Sequence, residues 1–567
     1  MSKNLLAQAL KHHQAGETEI AEKLYRKVLA QDANNTEALH LLGILLGQQG
    51  KLSEALAPLQ AALALQPDSA AIHNSLGNIY KHSNQIDLAI EHYQHALSSP
   101  QASAAVHNNL GTLYYKKGNL AQAAACYQQA LAMYPDYADA HFNLSAVLTQ
   151  QQQYDDAIAH LQAALVSKPQ HAQAHYHLGQ LLLQQGNLSA AINHYQQRLV
   201  LEPDHIETHH QLAVAFTQQS DWQHAIDHYE KTLQLNPDHD EALHNLASLY
   251  VVQRKPALAL PYYLRLLAIK PDFDTYYNLG VVYMYQDRHE DAISYLEQAL
   301  QLKPTSFNTL VNLGAVYLKK EQPLIAAHHY EAALALKPND PELMYILAAL
   351  SQAPSPTTTP HAYIENLFDQ YAPHFDQHLQ QYLQYRVPDL LLQAVQQEPS
   401  APVSFERMLD LGCGTGLCGA AFRPHVKEMI GIDLSENMLD VAKEKGLYNE
   451  LSCVDIEAAL NRYQRVDLII AGDVFGYVGD LTTTFAAAFT ALNTYGLFVF
   501  TVERTYEHDF YLQNNARFAH SRGYIEALAA QYGFDILHWE TAVLRQQKQQ
   551  AVEGYVWVLR KGASANE

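Results

Sequence analysis

From residue 2 to about residue 340, apolar positions follow a helical spacing that repeats every 34 residues. A small residue is followed three positions later by an aromatic or Leu, then by Ala, Tyr or Leu, Ala and finally Pro. Gly77, Tyr80, Ala89, Tyr93 and Ala96 recur as Gly111, Tyr114, Ala123, Tyr127, Ala130 and Pro135, and again as Gly314, Tyr317, Ala326, Tyr330, Ala333 and Pro338. About ten such units are expected, the first degenerate, each a pair of helices stacked on the next. The small residues fall where paired helices approach closely, Tyr and Leu fill the adjoining space, and Pro, lacking an N–H, stops the second helix. PELMYILAALSQ then reads as a capping helix.

The pattern changes at residue 351. SQAPSPTTTP is expected to be an extended, unpacked linker, and an aromatic-rich amphipathic segment follows, with Tyr371 and Phe375 among its members. From Phe405 onward seven short apolar runs (RMLDL, MIGID, LSCV, VDLIIA, LFVFTV, FDILHWETAV and VEGYVWVLR) alternate with helical stretches. That alternation predicts a parallel sheet with crossover helices, and the last two runs, too close for a crossover, form an antiparallel hairpin. The expected organisation is an all-α superhelical solenoid over 1–340, a capping helix and linker over 341–360, an α/β domain over 361–562 and a tail over 563–567.

Charge and composition narrow the function. The 567 residues carry a formal net charge of −22 without a basic run, which argues against nucleic acid or an anionic membrane as partner. The four cysteines, Cys126, Cys413, Cys418 and Cys453, form no CxxC pair, as fits a reducing compartment. No stretch approaches the roughly 18 apolar residues of a membrane span, so a cytoplasmic protein is expected. Among the 31 histidines, His73, His107, His141, His175 and His209 share one repeat position. His171 and His175 stand four apart without an evident third ligand, so no metal is expected.

The first apolar run of the α/β part leads into LDLGCGTGLCG. Gly412, Gly414 and Gly416 allow a sharp turn whose N–H groups face a ligand at a helix start. Gly414, Gly416 and Gly419, with Asp433 nineteen residues after Gly414, also satisfy the dinucleotide fingerprint. Against that alternative stands Asp410, whose carboxylate before the glycines repels a pyrophosphate and favours a cationic ligand. At the carboxyl edge of the fourth run, AGDVFGYVGDL offers Asp473 and Tyr477 as acceptor-facing groups or as loop-structuring residues. His520 is the strong general-base candidate by residue type, unless it only packs beside a helix capped by Ser521; Glu503 is a further candidate.

The 34-residue pattern resembles the tetratricopeptide repeat family over residues 2–340. LDLGCGTG, MIGID and SCVDIE, in this order and spacing, resemble the class I S-adenosylmethionine-dependent methyltransferases over 361–562, and the pairing resembles bacterial predicted methyltransferases with fused repeats. The resemblance implies a Rossmann-like seven-stranded fold and S-adenosylmethionine as cofactor. It implies Asp410, Gly412, Gly414 and Gly416 around the methionine end, Asp433 on both ribose hydroxyls, Met438 against the adenine, and Asp455 with Ile456 at the adenine amino group. It also puts Tyr371 in an aromatic cap over the sulfonium. The (D/N)PP(Y/F) signature of amide and nucleobase nitrogen methylation is absent. Asn109, Asn143, Asn245, Asn278 and Asn312 stand two residues before the small position. In the repeat array of the O-linked N-acetylglucosamine transferase, which this part resembles, such asparagines hold an extended peptide; the alternative is a tolerated polar position, and His177 and Gln211 interrupt the ladder. The expected function is a methyltransferase acting on a protein or peptide recruited by the array. The alternatives are a small-molecule methyltransferase docked to a partner, or an adaptor whose cofactor-binding domain is inactive.

Overall fold

The computed structural model describes residues 2–99, 103–351, 356–506, 508–547 and 550–562. Positions 352–355 of the expected linker and the expected tail, 563–567, lie outside the described residues. The chain forms two compact units, Met1–Lys270 and Pro271–Glu567.

The first unit is a run of eight antiparallel helix pairs, from Ser2–Gln14 with Thr18–Gln31 to Asp240–Val252 with Pro256–Ile269. Each pair closes at its small residue. A Cβ built on Gly111, in Ala104–Lys116, lies 2.7 Å from a ring carbon of Tyr127 in Leu120–Met133, so the ring occupies the volume a side chain would need. Gly77 with Tyr93 and Gly179 with Tyr195 repeat this relation. In the Gly111 and Gly179 repeats the second helix ends two residues before the proline, at Met133 before Pro135 and at Leu201 before Pro203.

Four of the five recurring histidines are paired with a second histidine. His73 Nε2 donates to the Pro67 carbonyl at 2.9 Å, and its Nδ1 lies 2.9 Å from Nδ1 of His92. The same arrangement recurs as His141 with His160, His175 with His194 and His209 with His228. His171 caps Ala172–Gln184 by accepting the Ala174 N–H.

The second unit begins with two more helix pairs, Phe273–Tyr285 with His289–Leu302 and Phe307–Lys319 with Pro323–Leu336, and the helix Pro341–Ser351. A broken helical segment, 361–382, leads to Val387–Gln397 and then to the sheet. The strands are β1 (Phe405–Leu411), β2 (Val426–Asp433), β3 (Glu450–Cys453), β4 (Val466–Ala471), β5 (Leu492–Thr505), β6 (Phe510–Leu512), β7 (Phe518–Ser521), β8 (Phe534–Gln547) and β9 (Gln550–Lys561). β3, β2, β1, β4 and β5 are parallel in that order, and β9 joins β5 antiparallel with β8 outside it. These are the seven apolar runs. The other two strands form a short hairpin whose β7 runs parallel to the end of β5. Apolar clusters cover both faces of the sheet, one built on Phe475, Phe485 and Phe498, the other on Leu391, Phe422 and Leu468.

The segment expected to be unpacked is packed over its described part. Thr357 accepts the N–H groups of Gly479 and Asp480, and Thr359 donates its N–H to the Tyr477 carbonyl. Its polar Thr side chains suit a strand-like strap beside a loop that has free backbone groups. The helix Pro341–Ser351 is fastened to the same region: Tyr345 Oη donates to the Ala516 carbonyl and accepts from Thr359 Oγ1, both at 2.8 Å. No helix of the described residues is long and apolar enough to cross a membrane.

Candidate active site

The carboxyl ends of β1, β2, β3 and β4 open into a cavity of about 1000 Å³. The turn after β1 forms its floor. Gly412, Gly414 and Gly416 all have positive φ. At Gly412 a side chain would overlap Val474, whereas at Gly414 the nearest atom to an added Cβ is a Phe375 ring carbon at 3.7 Å. A substituent at Gly414 would therefore fill the cavity itself. Asp433, ending β2, holds the turn from the next strand: its Oδ2 accepts the Gly414 N–H at 2.9 Å and its Oδ1 the Ser435 N–H at 3.0 Å. Burial raises its pKa against the pull of these N–H groups.

Asp455, after β3, caps Ile456–Arg462 by accepting the Ala458 N–H at 2.9 Å. Asp433 and Asp455 line the same cavity, as do Tyr371, Gly412, Gly414, Met438, Ile456, Asp473 and Tyr477. Phe375 lines it too. Asp410, Gly416 and His520 are not among its lining residues. Asp410 lies beneath the turn, 1% exposed, where Tyr448 Oη donates to it at 2.7 Å; burial brings its pKa up to about 7, opposed by that hydrogen bond. Gly416 precedes Leu417–Phe422 as its left-handed N-cap. His520 is fully buried in β7, donates to the Gly479 carbonyl at 2.9 Å and stacks on Tyr524, and burial lowers its pKa to about 4. Ser521 caps the following helix by accepting the Tyr524 N–H. The geometry gives His520 a role in fixing the loop.

The other end of the cavity is organised by four charges. Arg517 and Arg545 each bind both Asp473 and Glu503: Arg517 at 2.6 Å to each, Arg545 at 2.9 Å to Asp473 and 2.5 Å to Glu503. Glu503 is 4% exposed. Burial raises its pKa, but the two guanidiniums prevail and hold it at about 2. Arg517 also lies over the Tyr477 ring, 4.7 Å from its centre. Asp473 adopts a φ of 61° and is held by two cations, an arrangement that fixes its side chain and shapes the wall.

The aromatic segment forms the lid. Ser435 donates to Asp369 at 2.6 Å, and Asp376 takes Lys445 at 2.5 Å and the Thr415 hydroxyl. Phe368 meets Tyr477 and Phe375 edge-on. Sequence reasoning missed Arg517, Arg545, Asp369, Asp376 and Tyr448.

The five asparagines are half-buried in the first helices of their repeats. Asn109 donates to Asn78 and accepts from Lys81, Asn143 donates to Asn108, Asn245 contacts His210, and Asn312 donates to Tyr277. Asn278 lies in Phe273–Tyr285.

Tetratricopeptide repeat family models match residues 68–136, 108–170, 147–204, 206–239, 242–274 and 272–339, a TPR repeat model matches 45–83, and a methyltransferase domain model matches 379–539. The chain is 38% identical over 88 residues to human methyltransferase-like protein 27, covering 15% of this chain and 36% of that one. It is 35% identical over 79 residues to a ubiquinone biosynthesis O-methyltransferase of Coxiella burnetii, covering 13% and 34%. It is 29% identical over 123 residues to the biotin biosynthesis bifunctional protein BioHC of Saccharophagus degradans, covering 21% of each. The chain thus spans about a fifth to a third of the length of these relatives. Among solved structures, Pseudomonas aeruginosa pilF is similar at 22% identity and a TM-score of 0.35, covering 38% of this chain and 97% of that one.

Proposed function

For a chain that joins tetratricopeptide repeats to a methyltransferase domain, we propose an S-adenosylmethionine-dependent methyltransferase whose acceptor is a polypeptide recruited by the repeats. The observation that carries the cofactor assignment is the convergence of Gly414, Asp433, Met438 and Asp455 on one cavity. Each oxygen of Asp433 accepts one N–H, which leaves a lone pair on each for a pair of vicinal ribose hydroxyls. Met438 and Ile456 offer apolar surface to an adenine, beside the Asp455 carboxylate. The lining guanidiniums of Arg517 and Arg545 are engaged by Asp473 and Glu503, so carboxylates dominate the end near the turn. That balance suits a sulfonium and disfavours a pyrophosphate.

S-adenosylmethionine, when bound, supplies a methyl group already activated on sulfur. The chain's own residues then have three tasks: to hold the acceptor in line, to keep water out and to orient the charges around it. The lid residues Phe368, Tyr371 and Phe375 exclude water, and Tyr477 with the Asp473–Arg517 pair orients the acceptor.

The polypeptide reading rests on the repeats and on the asparagines, which retain hydrogen-bonding capacity for a peptide backbone. Capture by the array raises the effective concentration of the tethered side chain to the order of mM. A second reading, a small-molecule acceptor, is favoured by two of the relatives, whose names place them in ubiquinone and biotin biosynthesis.

Titration calorimetry of the full chain with S-adenosylmethionine tests the cofactor. Saturable binding that weakens at least ten-fold in Asp433→Ala is expected; unchanged affinity overturns the assignment. Labelled methyl transfer in lysate to protein only when the repeats are present supports the first reading, and label in a small extractable product supports the second.

A further inference from the structure

One rung of the first unit departs from its neighbours. Three positions recur at 34-residue spacing: a polar residue early in the first helix, an aromatic three residues later, and the residue capping the next repeat's first helix. They read Asp139, Phe142 and His171, then Gln173, Tyr176 and His205, then Glu207, His210 and His239. In all three rungs the middle ring packs on the capping histidine, with centroids 4.8, 5.6 and 4.8 Å apart. The third rung alone of these combines a carboxylate with two imidazoles.

One ligand atom from each of Glu207, His210 and His239 lies within 4.8 Å of the others. Glu207 Oε2 is 3.9 Å from His239 Nε2, and a second carboxylate, Glu241, comes within 3.7 Å of His210 Nδ1. His210 is 3% exposed, yet its Nδ1 has no hydrogen-bond partner. A buried nitrogen left unpaired is costly, and packing does not require it, since Tyr and Phe serve at this position one and two repeats earlier. Its nitrogen is turned towards carboxylates that reach it from the exposed side.

We propose that Glu207, His210, His239 and Glu241 form a site for a divalent transition-metal ion of the zinc class. Two imidazoles and two carboxylates neutralise a doubly charged ion and supply the N and O donors that zinc takes. Tetrahedral ligands at such distances stand about 3.3 Å apart, so the contacts of 3.7 and 3.9 Å contract modestly through the exposed glutamates. With His210 Nδ1 on the ion, its Nε2 carries the proton and donates to the side-chain oxygen of Asn245, whose amide lies 3.3 Å away and turns over. His239 now accepts the Ala242 N–H through Nδ1 at 3.3 Å. Ligation through Nε2 moves the ring proton to Nδ1, so the ion takes the place of that cap.

The test uses the full chain, stripped with chelator, titrated with Zn²⁺ by calorimetry and with Co²⁺ by absorption. Repeat neighbours supply substitutions the fold already accommodates: Glu207→Gln after Gln173, His210→Phe after Phe142, and His239→Asn after Asn35, which caps its own helix. One saturable ion per chain, with tetrahedral cobalt bands, and at least ten-fold weaker binding in each variant are expected. Unaltered affinity in His210→Phe and Glu207→Gln, or no saturable binding, overturns the proposal. Glu207→Gln alters an exposed side chain and decides the matter should His210→Phe fold poorly.

Discussion

The Nδ1 atoms of His175 and His194 lie 3.0 Å apart, and His175 Nε2 donates to the Pro169 carbonyl at 2.9 Å. These contacts fix both tautomers. The His175 proton sits on Nε2, so its Nδ1 accepts, and His194 must donate from Nδ1. A second proton on His194 would bury part of a charge.

The first prediction is a pH-dependent stability of the first unit. Burial, followed by the neighbouring His73, His141 and His175, lowers the pKa of His92, His160 and His194, while Glu91 and Asp156 oppose weakly and His95 adds to the effect at His92. The folded values lie below the unfolded value of about 6.5. The unfolded chain therefore takes up protons first, and the stabilisation is complete above about pH 6.5 and lost as pH falls towards the folded values. Thermal melts should drop by a few degrees between pH 7.5 and 5.5, since 1 kcal/mol moves a 150–250-residue domain by about 2–4 °C. Exchanging His175 and His194 for the Tyr pair found at Tyr276 and Tyr295, whose rings lie 6.4 Å apart, should shrink the drop. An equal drop in that variant argues against the mechanism.

Glu503→Gln should destabilise the second unit by about 3–5 kcal/mol, because it removes one of two carboxylates shared by buried Arg517 and Arg545. Denaturant titration measures the loss. In the parent chain the Glu503 contribution is present above the ordinary carboxylate range and disappears as pH falls towards about 2.

Gly111→Ala should cost about 1–2 kcal/mol despite the better helix propensity of Ala, which favours it by about 0.8–1 kcal/mol. The new methyl group meets the Tyr127 ring, 1% exposed and without room to withdraw. A melt no lower than that of the parent would show that the helices can separate freely.

Tyr345→Phe should cost about 1–3 kcal/mol, since it leaves the Ala516 carbonyl and the fully buried Thr359 hydroxyl without their partner. Hydrogen exchange at the Thr359 and Gly479 amides is expected to accelerate along with the loss of stability. Protection equal to the parent's would mean that the strap is held by other contacts.

The repeats were legible because many copies state the same spacing, and the seven long strands because each is a run of buried apolar residues. β6 and β7, of three and four residues, are too short to leave a periodic trace. Gly414, Asp433 and Asp455 were legible because a turn and two strand ends place them by local rules. Arg517 and Arg545 were not: they meet Asp473 across 44 and 72 residues, a pairing that depends on how the sheet closes. The histidine partners did leave a signal, since His92, His160, His194 and His228 each follow a recurring histidine by nineteen residues.

The helix Pro341–Ser351 follows the repeats in sequence and packs through Tyr345 on the hairpin that carries Arg517. A chimaera that grafts a foreign repeat array onto the methyltransferase domain should therefore be spliced upstream of Pro341. A junction placed at the apparent linker would remove Tyr345 and with it the hydrogen bonds to the Ala516 carbonyl and Thr359.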